Sequence, residues 1–169
     1  MLAYPVLRCY TPGAPKDIYQ RPANLFVASF IGQTNLIEAK LRVEKDETFV
    51  IFKNGYQLKI NTVSEEHKHD QSVIVSIRPE EFEIVEQDTG LTAVMDNYAF
   101  LGLNTNYFAH AFDDKRIEIV QESSIEEIIE PNSTVFLRIK AEKINIFTEN
   151  GQINIVKGVA NDYDQYKSN

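Results

Sequence analysis

A fourteen-residue segment occurs twice in this chain, and the duplication limits the possible architectures more than any other feature. Ser72–Val85 aligns without a gap on Thr134–Phe147, at an offset of 62 residues. Apolar side chains recur at matched positions: Val73 with Val135, Val75 with Leu137, Ile77 with Ile139, Ile84 with Ile146. The polar joint between the apolar runs is echoed as well, Arg78 matching Lys140 and Glu80 matching Glu142. A match that runs through a turn as well as its strands implies two equivalent β units, each made of a strand, a hairpin and a closing strand.

The pattern around the repeats agrees. Ile37, Ala39, Leu41 and Val43 alternate with Glu38, Lys40 and Arg42, the period of a half-buried strand. Phe49–Lys53 and Tyr56–Ile60 flank Asn54-Gly55, the strongest short-range hairpin signal. A two-residue turn there pairs Lys53 with Tyr56, Ile51 with Leu58 and Phe49 with Ile60, which puts the apolar pairs on one face. Tyr107–Phe112 and Arg116–Val120 flank Asp113-Asp114-Lys115 as a second hairpin. Ser72–Ile77 is a strand stopped by Pro79, which cannot donate to a ladder. Phe82–Val85 is a short strand or turn, Leu91–Met95 begins another strand, and Val135, Leu137 and Ile139 alternate in a further one. Val63–Gln71 reads as a polar loop, Ser123–Glu130 as one helical turn closed by Pro131-Asn132, and the chain from Gly158 as a polar, mobile tail. Short strands punctuated by turns make a mainly β small barrel or pair of barrels.

The start of the chain differs. Four of the six prolines, Pro5, Pro12, Pro15 and Pro22, lie within it. Lys16–Tyr19 reads as a helical turn after Pro15. Pro22 opens a second helix whose Phe26, Val27, Phe30 and Ile31 repeat at helical spacing, and Gly32 ends it. The resulting organisation is an unassigned segment over 1–11, short helices over 12–32, a β domain over 33–157 and a tail over 158–169.

Composition narrows the function classes. The 169 residues suit one domain or two small ones sharing a core. A formal charge of −8 opposes nucleic acid or an anionic membrane as the main partner, since both call for clustered Lys and Arg. The single cysteine, Cys9, cannot form an internal disulfide and has no neighbouring His to activate it. No glycine precedes a lysine, so no phosphate-binding loop can be written, and nucleotide hydrolysis has no motif here. His67 and His69, among Glu65, Glu66 and Asp70, are the best metal candidates, but in a polar loop they read as solvated side chains. His110 reads as a packed or edge histidine without a partner. Acid–base work needs a cleft that shifts a pKa, and the carboxylate pairs Glu80-Glu81, Asp113-Asp114 and Glu126-Glu127 read instead as solvated faces. Arg78 and Glu80 are the candidate interface or ligand-loop residues, because they end an apolar strand and recur in the second unit. No catalytic, metal or cofactor residue is assigned.

One longer motif carries a resemblance. Gly13-Ala14-Pro15, Ile18-Tyr19, Pro22, Phe26-Val27-Ala28, Phe30-Ile31-Gly32 and Asn35 resemble the segment that ends the nucleotide-binding domain of ABC importer ATPases. Ala14 stands where that family usually has Thr. Ile77-Arg78-Pro79-Glu80 and Phe100-Leu101-Gly102 resemble signature positions of the C-terminal transport-associated OB (TOBE) domain of the same proteins. The resemblance spans about residues 13–147 and is to the polyamine type in particular. It implies OB-like barrels and a non-catalytic regulatory and dimer-contact role. It places ATP and Mg²⁺ on an upstream domain, and makes a second ATPase copy and membrane permease subunits the partners. The expected location is the cytoplasm, at the inner face of the membrane. The alternative is a stand-alone OB-like module that binds a small oxyanion or an oligonucleotide.

Overall fold

The computed structural model describes residues 15–123 and 128–159. Two short helices lead, α1 (Pro15–Gln20) and α2 (Leu25–Ile31). The first unit follows as β1 (Asn35–Glu44), β2 (Glu47–Phe52), β3 (Gln57–Ile60), β4 (Gln71–Ile77) and β5 (Phe82–Val85). The second comprises β6 (Thr92–Phe100), β7 (Asn104–Ala111), β8 (Lys115–Glu122), β9 (Thr134–Ile139) and β10 (Asn145–Thr148). The structure is mainly β and OB-like, with the helices at its N-terminal end. Among the described residues no helix is long and apolar enough to cross a membrane.

The strands form two five-stranded antiparallel sheets, ordered β10-β4-β1-β2-β3 and β5-β9-β6-β7-β8. The two orders are the same when each strand is replaced by its counterpart five places on. Each unit therefore gives its closing strand to the other unit's sheet: β5 lies against β9, and β10 against β4. The registers agree too. Phe82 faces Ile139, and moving that pair by the repeat offset puts Ile144 opposite Ile77, one step beyond the Asn145–Ser76 pair of the β10–β4 ladder. The duplication expected from sequence is present, with the closing strands exchanged.

One core lies between the sheets. Leu41, Val50 and Val75 from the first meet Ala109, Ile119 and Leu137 from the second, all buried. The Phe112 ring lies 4.7 Å from Phe52 and 6.4 Å from Phe82, linking three elements by ring packing. Two side chains close gaps between sheet edges. Gln121 at the end of β8 donates to the Phe82 carbonyl at 2.8 Å. Asn35 donates to the carbonyls of Ile77 (3.1 Å) and Glu118 (2.9 Å), while its own carbonyl oxygen accepts from the Glu118 amide. Its side-chain amide thus stands in for a ladder residue where β1 passes β8.

Three local expectations are corrected. The β2–β3 hairpin pairs Val50 with Leu58 and Ile51 with Gln57, one residue off the expected register. The Phe52 amide bonds the Tyr56 carbonyl, so the loop is Lys53-Asn54-Gly55. Gly55 alone there takes a positive φ (85°), as in a three-residue turn ending in a glycine bulge, whereas a two-residue turn of the mirror type needs it at both central positions. The slip exchanges faces: Thr48, Val50 and Phe52 are buried, while Phe49 and Ile51 are half-buried. Second, His110 has a partner: its Nδ1 lies 2.8 Å from Asp96, at the bulge where the β6–β7 register shifts. Third, residues 128–130 carry no helix. The rest of that expected turn over 124–127, the tail from 160 and Cys9 lie outside the described residues.

Candidate functional site

The site forms where the connector between α1 and α2 crosses the two joints of the repeat. β4 delivers Arg78 to the mouth of the first joint. Pro79 follows in the first position of a 3₁₀ turn (Pro79–Glu81), where a missing N–H costs nothing. The second joint, Ala141–Lys143, has the same turn: Glu81 N–H bonds Arg78 O and Lys143 N–H bonds Lys140 O, both at 2.9 Å. The joints touch each other, Lys140 N–H donating to Glu81 O at 3.1 Å and its Nζ to Glu80 O at 3.1 Å.

Arg78 is 93% buried, at 7% relative exposure, yet its bonds go to main chain. Its Nη2 donates to the Tyr19 carbonyl at 2.8 Å and its Nη1 to the Gln33 carbonyl at 3.4 Å. The guanidinium carbon sits 3.7 Å from the centre of the Tyr19 ring, a cation–π contact strengthened by burial. The Tyr19 hydroxyl in turn donates to Glu80 Oε1 at 2.8 Å. Burial, and then that bond to a carboxylate, push the Tyr19 pKa up. Gly32 makes room for the arrangement: a Cβ there would stand 3.0 Å from Arg78 Nη1. The structure thus joins the two sequence candidates, Arg78 and Glu80, through one tyrosine of α1.

The second joint grips the same connector from the other side. Arg21 Nη1 donates to the carbonyls of Lys143 (3.3 Å) and Ile144 (3.0 Å), and Nη2 to that of Glu142 (2.5 Å). Burial pulls the Arg21 pKa down. Behind it lie two buried asparagines. Asn145 donates to Gln20 O at 3.1 Å, Asn154 donates to Pro22 O at 2.8 Å, and the two bond each other at 2.9 Å. Main-chain bonds continue the strap, Asn154 N–H to Ala23 O and Leu25 N–H to Gly151 O. Leu25 also fixes Gly151: a Cβ would lie 2.9 Å from that of Leu25, and φ is +70°. Asn24 caps α2, its side chain accepting from the Val27 amide at 3.0 Å.

A pocket of about 170 Å³ remains between the joints, lined by Tyr19, Arg21, Arg78, Glu81, Glu142 and Lys143, with Gln20 and Asn145. Burial raises the Glu81 carboxyl pKa. Among the described residues neither arginine forms an ion pair. The chemistry is that of a joint: donors and acceptors hold a peptide segment. The remaining sequence candidates are elsewhere. His67 lies on a 3₁₀ turn with Nε2 3.7 Å from Glu66, and among the described residues no three potential ligands gather around it or His69. Asp113 and Asp114 occupy the β7–β8 tip. Sequence reasoning missed Arg21, Asn145 and Asn154. Arg21 lay inside the helical motif as a charge among apolar signals, and the asparagines carried no pattern that separates a buried amide from a turn residue.

Comparison with known proteins agrees with this architecture. Residues 75–147, from mid-β4 to β10, match the TOBE domain family. The Fe(3+) ions import ATP-binding protein FbpC of Fusobacterium nucleatum is 48% identical over 152 residues, 89% of this chain and 40% of that protein. The spermidine/putrescine import ATP-binding protein PotA of onion yellows phytoplasma is 40% identical over 93 residues, 54% of this chain and 21% of that protein. The chain thus spans less than half the length of either relative. The solved structure of ModG, described as a cytoplasmic molybdate-binding protein, superposes with a TM-score of 0.56 at 13% identity, over 68% of this chain and 95% of its own. At that identity the likeness is one of fold. Residues 75–147 thus match a TOBE domain, and the chain is similar to one part of import ATP-binding proteins.

Proposed function

We propose that this chain is the regulatory and dimer-contact module of an importer ATPase and carries no ATP chemistry itself. The observation behind the proposal is the grip on the connector: Arg78, Arg21, Asn145 and Asn154 fix residues 19–23 to both joints. A module that restrains or follows an upstream domain needs such a rigid link, because coupling travels through elements that move as one body. In the parent importer, ATP and Mg²⁺ would bind that upstream domain, permease subunits would receive its motion, and the module would lie on the cytoplasmic side of the membrane. The cargo is a small multivalent cation: a polyamine on the sequence motif and the phytoplasma relative, or ferric iron on the 48% identical relative. Two assays test the reading. The chain alone should show no Mg-ATP turnover, and turnover above buffer would overturn it. In the parent importer, Arg78→Ala should change transport-coupled hydrolysis while leaving ATP affinity intact; unchanged coupling would also overturn it.

A second reading, an oxyanion-binding module, draws on Arg21, Arg78 and Lys143 around the pocket. Titration with molybdate, sulfate and phosphate tests it, and the leading proposal expects no saturable heat.

A further inference from the structure

Two equivalent hairpin tips carry different side chains at one position. In the first unit Phe52 and Tyr56 close the loop Lys53-Asn54-Gly55. In the second, Ala111 and Lys115 close the loop Phe112-Asp113-Asp114. Lys115 therefore stands where the first unit has Tyr56. Tyr56 is half-buried: its ring stacks on Phe52 at 5.9 Å and reaches Gly90, where a Cβ would lie 3.8 Å from the ring. Gly90 corresponds to Leu36, because Ile37 faces Val75 as Leu91 meets Leu137, the repeat counterpart of Val75. At the second tip the Phe112 ring is buried in the core, 4.7 Å from Phe52, and Lys115 is exposed. A groove of about 420 Å³ lies there against the start of β1, within the size range of binding sites. Phe112 and the half-buried Leu25, Leu36 and Ile74 give it an apolar floor.

We propose that this groove docks a basic peptide segment of another protein, whose aromatic side chain takes the place that Tyr56 takes in the first unit. The site shares no residue with the pocket between the joints. The first unit supplies the steric precedent: there the fold covers the equivalent position with one of its own aromatic rings. A partner's ring laid against Phe112 and Ile74 would remove the corresponding apolar surface from water in the second. Charge selects what flanks the ring. Glu38, Asp113 and Asp114 rim the groove against Lys53 and Lys115. The Lys53–Glu38 pair, at 2.6 Å, is neutral as a unit. Among the described residues Asp113 and Asp114 form no ion pair. Lys115 offsets one of these two carboxylates and the rim stays negative. The net charge of −8 draws basic segments from a distance, and the rim orients them at close range.

NMR titration of the isotope-labelled intact chain with the capped tripeptide Lys-Tyr-Lys tests the assignment. The amides of Ile74, Asp113, Asp114 and Lys115 should shift saturably, with a Kd of roughly 1 mM or below. Capped Lys-Ala-Lys and Glu-Tyr-Glu should each bind at least about tenfold more weakly. Lys115→Tyr, which puts a ring back on the second tip, and Asp114→Lys should each weaken the Lys-Tyr-Lys complex at least about tenfold. Glu44→Lys makes the same change in net charge at the far end of β1 and should leave affinity within about twofold. All three positions are exposed, and thermal melts check the fold. Absence of saturation, shifts confined to other amides, affinity indifferent to Lys115→Tyr, or an equal loss in Glu44→Lys and Asp114→Lys overturns the proposal. Tyramine saturating the same amides as tightly as the tripeptide overturns it in favour of a small-amine site. Shifts of those amides on concentrating the chain alone overturn it in favour of a second copy.

Discussion

The two joints of the repeat share one backbone and differ in what they hold. Arg78 in the first is buried and reaches out to the Tyr19 and Gln33 carbonyls; its counterpart Lys140 is half-exposed and reaches only to the neighbouring joint and Glu83. Glu81 in the first is half-buried, whereas its counterpart Lys143 is exposed and offers its carbonyl to Arg21. Strand positions fix geometry, so both copies keep them. Joint positions fix what the geometry is used for, so the copies diverge there, and one asymmetric connector lies across a nearly symmetric seat.

The largest test removes what the copies share. Phe82 and Ile144 are fully buried anchors at matched positions of the exchanged region. Phe82→Ala should cost about 3–5 kcal/mol and Ile144→Ala about 2–5 kcal/mol in urea denaturation. Each variant should unfold in one transition, because exchanged strands make the two sheets one cooperative unit. Two separate transitions would break that claim.

The next test probes where they differ. Arg78→Ala should cost about 1.5–3 kcal/mol, the range for bonds to a charged group lost from a buried site. It should also speed hydrogen exchange at the Arg21 amide, which bonds Asp17 O at the end of α1. Lys140→Ala, at a half-exposed position, should cost less than about 1 kcal/mol. Equal costs would erase the asymmetry.

The smallest effect is one of pH. Burial raises the Glu81 pKa above the ordinary 4.5, so the folded protein binds this proton more tightly than the unfolded chain does. Stability from this group is then full at low pH and is lost as pH rises from the ordinary value through the raised one. Glu81→Gln should be more stable than wild type near neutral pH, and the difference should shrink towards about pH 4. Lys143→Gln should show no such convergence. A wild-type advantage that grows with pH would reverse the sign and the account.

Much of this was legible beforehand. The two-residue period and the repeat named the strands, their duplication and the Arg78–Glu80 joint, because apolar alternation and turn residues are local signals. The hairpin register was misread by one residue, since Asn-Gly suits both a two-residue turn and a longer loop ending in a glycine bulge. Only packing of Val50 and Phe52 into the core decides between them. The exchange of closing strands was not legible either. Ile84 and Ile146 are equally apolar whichever sheet receives them. Arg21, Asn35, Asn145 and Asn154 escaped notice for a related reason: their roles come from carbonyls that are remote in sequence.

The exchanged strands also set an order of completion during synthesis. The second sheet has all its strands once β9 has emerged, because it borrows β5, made earlier. The first sheet, begun first, must wait for β10. Until then the outer edge of β4 offers unpaired amides and carbonyls along Val73–Ser76, in a strand rich in Val and Ile. A nascent chain halted before residue 145 therefore carries an open, apolar sheet edge, and the last strand acts as the seal that ends its exposure to aggregation.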